Sequence, residues 1–132
     1  MHNKTFAIIK PDAIKNKSLG KIIDMIIQND FDILNARLIT MTKGKAQEFY
    51  AIHQEKPFFN DLVSFMSSGK SMVMELKKND AVNEWRGLIG ATDPSEAAEG
   101  TIRQLFAESK EKNSVHGSDS DENAIQEINF FF

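Results

Sequence analysis

Apolar residues in this chain recur at two periods, one of two residues and one near 3.6, and the switching between them orders the elements. Thr5-Phe6-Ala7-Ile8-Ile9 is an apolar run stopped by Lys10-Pro11-Asp12, which predicts a buried strand ending where proline cannot continue the ladder. Lys10 therefore sits at a strand's C-terminal end. Leu19, Ile22, Ile23, Ile26 and Ile27 then fall at helical spacing behind Ser18, predicting an amphipathic helix with a serine cap. Past Asn29-Asp30, residues 31–41 alternate through Leu34, Ala36 and Leu38, the pattern of a long half-buried strand. Thr42 can cap a second helix with Ala46, Phe49, Tyr50 and His53 on one face, and Pro57 suits the first turn of a third carrying Phe58, Phe59, Leu62, Val63 and Met66, with Gly69 as its stop. Met72, Met74 and Leu76 alternate along a further strand, and Asn79 or Asp80 can cap the helix bearing Ala81, Val82, Trp85, Leu88 and Ile89.

The regular pattern then lapses. Between residues 90 and 113 only 101–107 reads as helical, inside a connection rich in Gly, Pro, Ser and Glu. A loop of that length in a compact domain usually has a function of its own. Residues 113–117 read as a fourth strand, and Ser118 or Ser120 can cap a last helix with Ala124, Ile125, Ile128 and Phe131 inward. The order β-α-β-α-α-β-α-loop-β-α predicts an α/β fold, an α+β sandwich of the ferredoxin-like split βαβ type. Its four-stranded antiparallel sheet is covered by helices, with a long loop insertion before the last strand.

Composition narrows the classes without changing this picture. A chain of 132 residues fits a single domain spanning 1–132. Hydrophobic residues at 41% and charged residues at 27% are globular values, and no apolar run reaches the roughly 20 residues of a membrane span. The start Met1-His2-Asn3-Lys4 has no basic-then-apolar leader, so a soluble, cytoplasmic protein with no membrane partner is expected. The absence of cysteine excludes disulfides and thiolate chemistry. A net charge of −3 argues against a general grip on nucleic acid, so any phosphate site must be local.

Chemistry concentrates in Asn113-Ser114-Val115-His116-Gly117-Ser118-Asp119. Imidazole titrates near neutral pH and attacks when unprotonated, which makes His116 the candidate nucleophile. Gly117 removes a side chain where a ligand can approach, and Ser118 and Asp119 open a helix whose N-terminal amides favour a phosphate. Glu127 borders the buried stripe of that helix and can orient a ring nitrogen. Lys10, Arg86 and Arg103 fall at a strand end, near a helix C-terminus and in the long loop, positions from which cations can converge on one cleft. Three cations suit a triphosphate, because phosphoryl transfer is mostly positioning and charge stabilisation. Other marked residues read as structural: His53 as packing or partly exposed, His2 as a terminal surface residue, Met72 and Met74 as core, Trp85 as a helix anchor, and Asp119, Asp121 and Glu122 as partners of the helix dipole.

These residues resemble a nucleoside diphosphate kinase along essentially the whole chain. The resemblance rests on Ile9-Lys10-Pro11-Asp12, Lys56-Pro57-Phe58-Phe59 with Leu62, Gly90-Ala91-Thr92-Asp93-Pro94, Gly100-Thr101-Ile102-Arg103, and the segment 113–120 containing His116-Gly117-Ser118-Asp119-Ser120. It implies a ping-pong reaction in which His116 takes the γ-phosphate of a nucleoside triphosphate and passes it to a nucleoside diphosphate. It also implies that Lys10, Arg86, Arg103, Thr92 and Asn113 contact phosphates and sugar, that Phe58 stacks on the base beside Leu62, and that Tyr50 and Glu127 flank the nucleophile. Mg2+ would arrive on the nucleotide's phosphates, so no protein metal cage is expected. Base selectivity should be low, because stacking, worth about 1–3 kcal/mol, is tolerant of base identity. The family pattern further implies a homo-oligomer. Lys112, Lys70 and Glu99 depart from residues common in the family, none at a chemistry position. A non-catalytic RNA-binding sheet is the competing reading. Its central strands would carry aromatic residues, where this chain offers Ile8, Ile9, Met72 and Met74.

Overall fold

A computed structural model describes residues 3–132, so His2 lies outside the described residues. Four strands form one sheet in the order β2-β3-β1-β4, where β1 is Lys4–Ile9, β2 Asp32–Thr40, β3 Lys70–Lys77 and β4 Val115–Gly117. All three pairings are antiparallel. Helices α1 (Pro11–Lys15) and α2 (Leu19–Gln28) join β1 to β2, while α3 (Lys43–Phe49), a 3-10 turn at Ala51–His53 and α4 (Phe59–Met66) lead to β3. Helices α5 (Ala81–Ile89) and α6 (Ile102–Phe106) precede β4, and α7 (Asp121–Phe131) follows it. This is the split βαβ arrangement expected from the element order.

The pleat of β1 divides the core. Ala7 and Ile9 face Ile22 and Ile26 of α2 and Trp85 and Ile89 of α5. Phe6 and Ile8 face Ala46 of α3, Val63 and Met66 of α4, and Ile128 and Phe131 of α7. Burial of these side chains, worth about 1.5–3 kcal/mol for each Val, Ile, Met or Phe when complete, is what holds two helical layers on one sheet.

Several local expectations change. Pro11 opens α1, a helix too short for periodicity to reveal. Ser18 makes no capping bond, its hydroxyl turning to the Asn16 side chain, whereas Thr42, Thr101 and Ser120 each accept a backbone N–H of the helix they begin. Asp80 precedes α5 in the left-handed region, with its carboxylate on the Asn83 amide. Pro57 lies in the turn before α4, which starts at Phe59, and Gly69 lies beyond its Ser67 cap. Leu34, Ala36 and Leu38 are exposed rather than half-buried, Leu34 by 43% and Leu38 by 47%. Ala36 and Leu38 oppose Met74 and Met72 and so share their sheet face, but of β2 on that face only Ile33 packs against the core there, and the strand beyond it stays open. Leu34 is the extra residue of a bulge between Ile33 and Asn35. Ile125 points outward, 57% exposed.

Candidate active site

The site grows from β4, which among the described residues pairs with β1 alone, His116 opposite Ile8 and Gly117 opposite Ala7. Directly opposed residues share a face, so His116 projects toward α7. Its ring packs edgewise on Phe6 and Phe49, with centroids 6.0 and 5.5 Å away. Nε2 lies 2.9 Å from Glu127 Oε1, and Ser118 Oγ donates to the same oxygen at 2.8 Å. An ionised carboxylate only accepts, so a neutral imidazole here donates from Nε2 and keeps its lone pair on Nδ1. From the other face, Trp85 Nε1 donates to the His116 carbonyl at 3.0 Å. A Cβ at Gly117 would stand 2.9 Å from the indole Cδ1, so glycine here admits Trp85 in the place the sequence suggested for a ligand.

Cations gather beside this histidine. Arg103 is buried, its guanidinium donating to the Gly90 carbonyl at 3.0 Å and the Val115 carbonyl at 2.9 Å. Burial, and next the Arg86 charge, lower its pKa to about 10. Gly90 makes this possible: its φ of +86° is glycine's, and a Cβ would meet Thr101 Oγ1 at 2.5 Å. Lys10 caps the end of β1 and is buried, with Nζ donating to Asn113 Oδ1 at 2.9 Å. Burial, and next the Arg103 charge, bring its ammonium down to about 8, with the Asp12 carboxylate pulling the other way. Desolvated cations that repel one another and lack a full complement of anions form a place where a phosphate chain is stabilising. Arg86, Thr92 and Arg103 line a cavity of about 290 Å³ with Gly90, Gly117 and Asp119. Asn113 Nδ2 reaches the Thr92 carbonyl at 3.5 Å, joining Lys10 to that wall.

A second cavity, about 250 Å³, is lined by His116, Glu127, Tyr50, His53, Asp119 and neighbours on α3 and α7. Asp119 borders both cavities. Tyr50 is buried with its hydroxyl lacking a hydrogen-bond partner, and burial, then the Glu127 charge, push its pKa up. A phenol held neutral in this way remains a donor for an incoming oxygen. Phe58 and Leu62 line neither cavity. Phe58 is 47% exposed, with its ring 5.6 Å from that of His53, and Leu62 packs partly buried against the α3, α4 and α7 core. The structure thus brings His116, Glu127 and Tyr50 around one hollow and Arg86, Arg103 and Thr92 around the next. Lys10 and Asn113 join beneath, and Phe58 stands at the rim beside His53.

Sequence reasoning missed three contributors. Asp119 forms an ion pair with Arg86 at 2.9 Å and is not simply a partner of the helix dipole. Both side chains are at least half exposed, so the pair orients Arg86 more than it stabilises the fold. Ser118 is buried on Glu127, not at a helix start. Asp12, quoted in a motif without a role, is buried and accepts the Ser114 N–H at 3.0 Å. Among the described residues no group of three or more His, Cys, Asp and Glu side chains could hold a metal ion, and no helix is long and apolar enough to cross a membrane.

Residues 3–132 match the family model described as nucleoside diphosphate kinase. The chain is 57% identical over 129 residues to the nucleoside diphosphate kinase of Campylobacter curvus, covering 98% of this chain and 94% of that protein. It is 52% identical over 128 residues to that of Lawsonia intracellularis, covering 97% and 93%. Among solved structures, the Aquifex aeolicus nucleoside diphosphate kinase superposes with a TM-score of 0.96 at 45% identity, covering 98% of this chain and 94% of that one. The Halobacterium salinarum nucleoside diphosphate kinase in complex with CDP gives 0.95 at 34% identity, covering 100% and 88%.

Proposed function

Because this chain belongs to the nucleoside diphosphate kinase family, and is thereby a phosphotransferase acting on nucleotides, we propose that His116 is the residue through which the phosphoryl group passes. Nδ1 attacks the γ-phosphorus of a nucleoside triphosphate, the bond to the β-phosphate oxygen breaks, and the diphosphate leaves. A second nucleoside diphosphate then attacks the phosphohistidine, its terminal phosphate oxygen forming the new bond as the P–N bond breaks. The observation that carries this reading is the Nε2 contact to Glu127 at 2.9 Å, which leaves Nδ1 the free nitrogen of a ring whose cavity shares Asp119 with the arginine-lined one.

In this reading Lys10, Arg86 and Arg103 neutralise the phosphate chain, with Thr92 and Asn113 completing its bonds and Tyr50 donating near the nucleophile. Phe58, exposed at the rim, offers a stacking face to the base, with Leu62 as its apolar neighbour. Mg2+ bound to the nucleotide's own phosphates would supply further charge neutralisation. The residues present fit that role, since Lys10, Arg86 and Arg103 are cations that would bind the phosphates and leave the ion to the nucleotide's own oxygens. We read 1–132 as a single cytoplasmic domain that works as a homo-oligomer. Its partners are nucleoside di- and triphosphates, with no membrane and no specific nucleic acid.

Transfer of the γ-phosphate from ATP to a second nucleoside diphosphate, measured on wild type and His116→Ala, tests the assignment. The wild type should transfer and acquire an acid-labile, base-stable label from ATP. His116→Ala should do neither, and a label persisting in that variant overturns the assignment.

A further inference from the structure

Four described non-glycine residues have positive φ: Lys17, Asp30, Asp80 and Ser114. The first three are exposed at turns, where such a backbone is easily accommodated, whereas Ser114, at φ +73°, is fully buried. It stands between Asn113, which receives the Lys10 ammonium, and the strand carrying His116. An L-residue stays left-handed in a core only where its surroundings over-determine it.

Here the surroundings are one segment. The Lys10 N–H donates to the Ser114 carbonyl at 2.8 Å, and the Ser114 N–H donates to Asp12 Oδ2 at 3.0 Å. Both backbone groups of the strained residue are held from residues 10–12. Asp12 is only 5% exposed, its Oδ1 has no hydrogen-bond partner, and burial raises its pKa against the Ser114 N–H and the Lys10 charge. Placing a carboxylate there is costly, and of the backbone N–H groups that favour its charge, Ser114's ranks first, ahead of its own and Ala13's in the short helix α1. The Ser114 hydroxyl makes no hydrogen bond, so the side chain itself offers no reason for the conformation.

We propose that Asp12 is a positioning residue for phosphoryl transfer: its buried carboxylate holds Ser114 left-handed and thereby fixes where Asn113 meets Lys10 and where the strand bearing His116 begins. Without it, Ser114 relaxes toward negative φ and the peptides on either side rotate. Asn113 then leaves Lys10 on one side, and His116 shifts against Glu127 on the other. This rests on the reading that His116 carries the phosphoryl group.

The test builds Asp12→Asn and Asp12→Ala in the natural and the Ser114→Gly backgrounds. Thermal unfolding reports folding, and kcat and KM are measured for ATP and a nucleoside diphosphate. Asp12→Asn keeps an oxygen that accepts the Ser114 N–H and should stay within about threefold of wild type in kcat/KM. Asp12→Ala should lose roughly 10- to 100-fold, the scale of a displaced reacting group. Ser114→Gly should return most of that loss, because glycine takes positive φ unaided.

If Asp12 only supports the fold, Asp12→Ala lowers the melting temperature while the folded protein keeps its kcat/KM, or Ser114→Gly recovers nothing; either result overturns the proposal. Should Asp12→Ala not fold, Asp12→Asn decides, and a loss beyond about tenfold overturns it. His116→Ala is assayed alongside. Transfer by that variant would refute the histidine assignment itself, a failure separable from any behaviour of the Asp12 variants.

Discussion

Lys10 shows how burial, not spacing, gives a residue its use. Its ammonium is desolvated and faces the Arg103 charge, which together bring its pKa from 10.5 to about 8. In the unfolded chain it keeps its proton up to about 10.5, so between pH 8 and 10.5 the unfolded state binds more protons. Stability contributed by this group therefore rises with pH through that window, and its penalty is complete below pH 8. A phosphate chain beside Lys10 favours the charged form and reverses the shift. Nucleotide binding at pH 8.5 should accordingly take up a proton, seen as a binding enthalpy that varies with the ionisation heat of the buffer, and KM should rise as pH passes 8. Lys10→Met should abolish the buffer dependence; uptake unchanged in that variant would assign the proton to another group.

At the scale of elements, the crossing from α5 to α6 depends on one backbone conformation. Gly90 has φ +86°, accepts Arg103 NH1 through its carbonyl, and packs where a Cβ would stand 2.5 Å from Thr101 Oγ1. Gly90→Ala should cost about 1–3 kcal/mol of unfolding free energy, the range for a side chain forced into such a region. Urea denaturation reads that loss, and KM for nucleotide should rise because Arg103 is displaced. An unchanged midpoint would show that the loop yields without cost. Elements of this kind divide what the chain discloses. β1, α2, β3 and α5 are legible because their apolar positions keep one period long enough to be counted. α1 is not, since five residues span little more than one turn, and its start is marked only by Pro11. His116 and Glu127 were legible as a pair because they lie eleven positions apart around one strand end and one helix. Asp12 and Ser114 are joined across 102 positions by a bond to backbone, and no side-chain pattern encodes that.

The whole molecule presents an edge that a single chain leaves unfinished. β2 has nine residues and, among the described residues, pairs with β3 alone, so its other side is a sheet edge. Proteins that remain single chains blunt such edges with charge, proline or very short strands. This strand is long and lacks proline, and beside its one mid-strand charge, Arg37, and its bulge it leaves Leu34, Ala36 and Leu38 exposed, with Ile27 of the neighbouring α2 55% exposed. A second copy related by a two-fold axis would meet the same strand and the same leucines, so each residue buried counts twice. Covering a half-exposed leucine is worth about 1 kcal/mol, half of full burial, which makes Leu38 a sensitive position. Light scattering should give wild type a mass that is a multiple of 14.9 kDa. Leu38→Lys places a charge on the shared face and should shift the mass downward and lower the melting temperature. The free chain retains its own core, because Leu38 belongs to neither buried cluster, and far-ultraviolet circular dichroism of Leu38→Lys should therefore match wild type. A wild type of single-chain mass at working concentration, or a Leu38→Lys variant of unchanged mass, would remove β2 as the contact between copies.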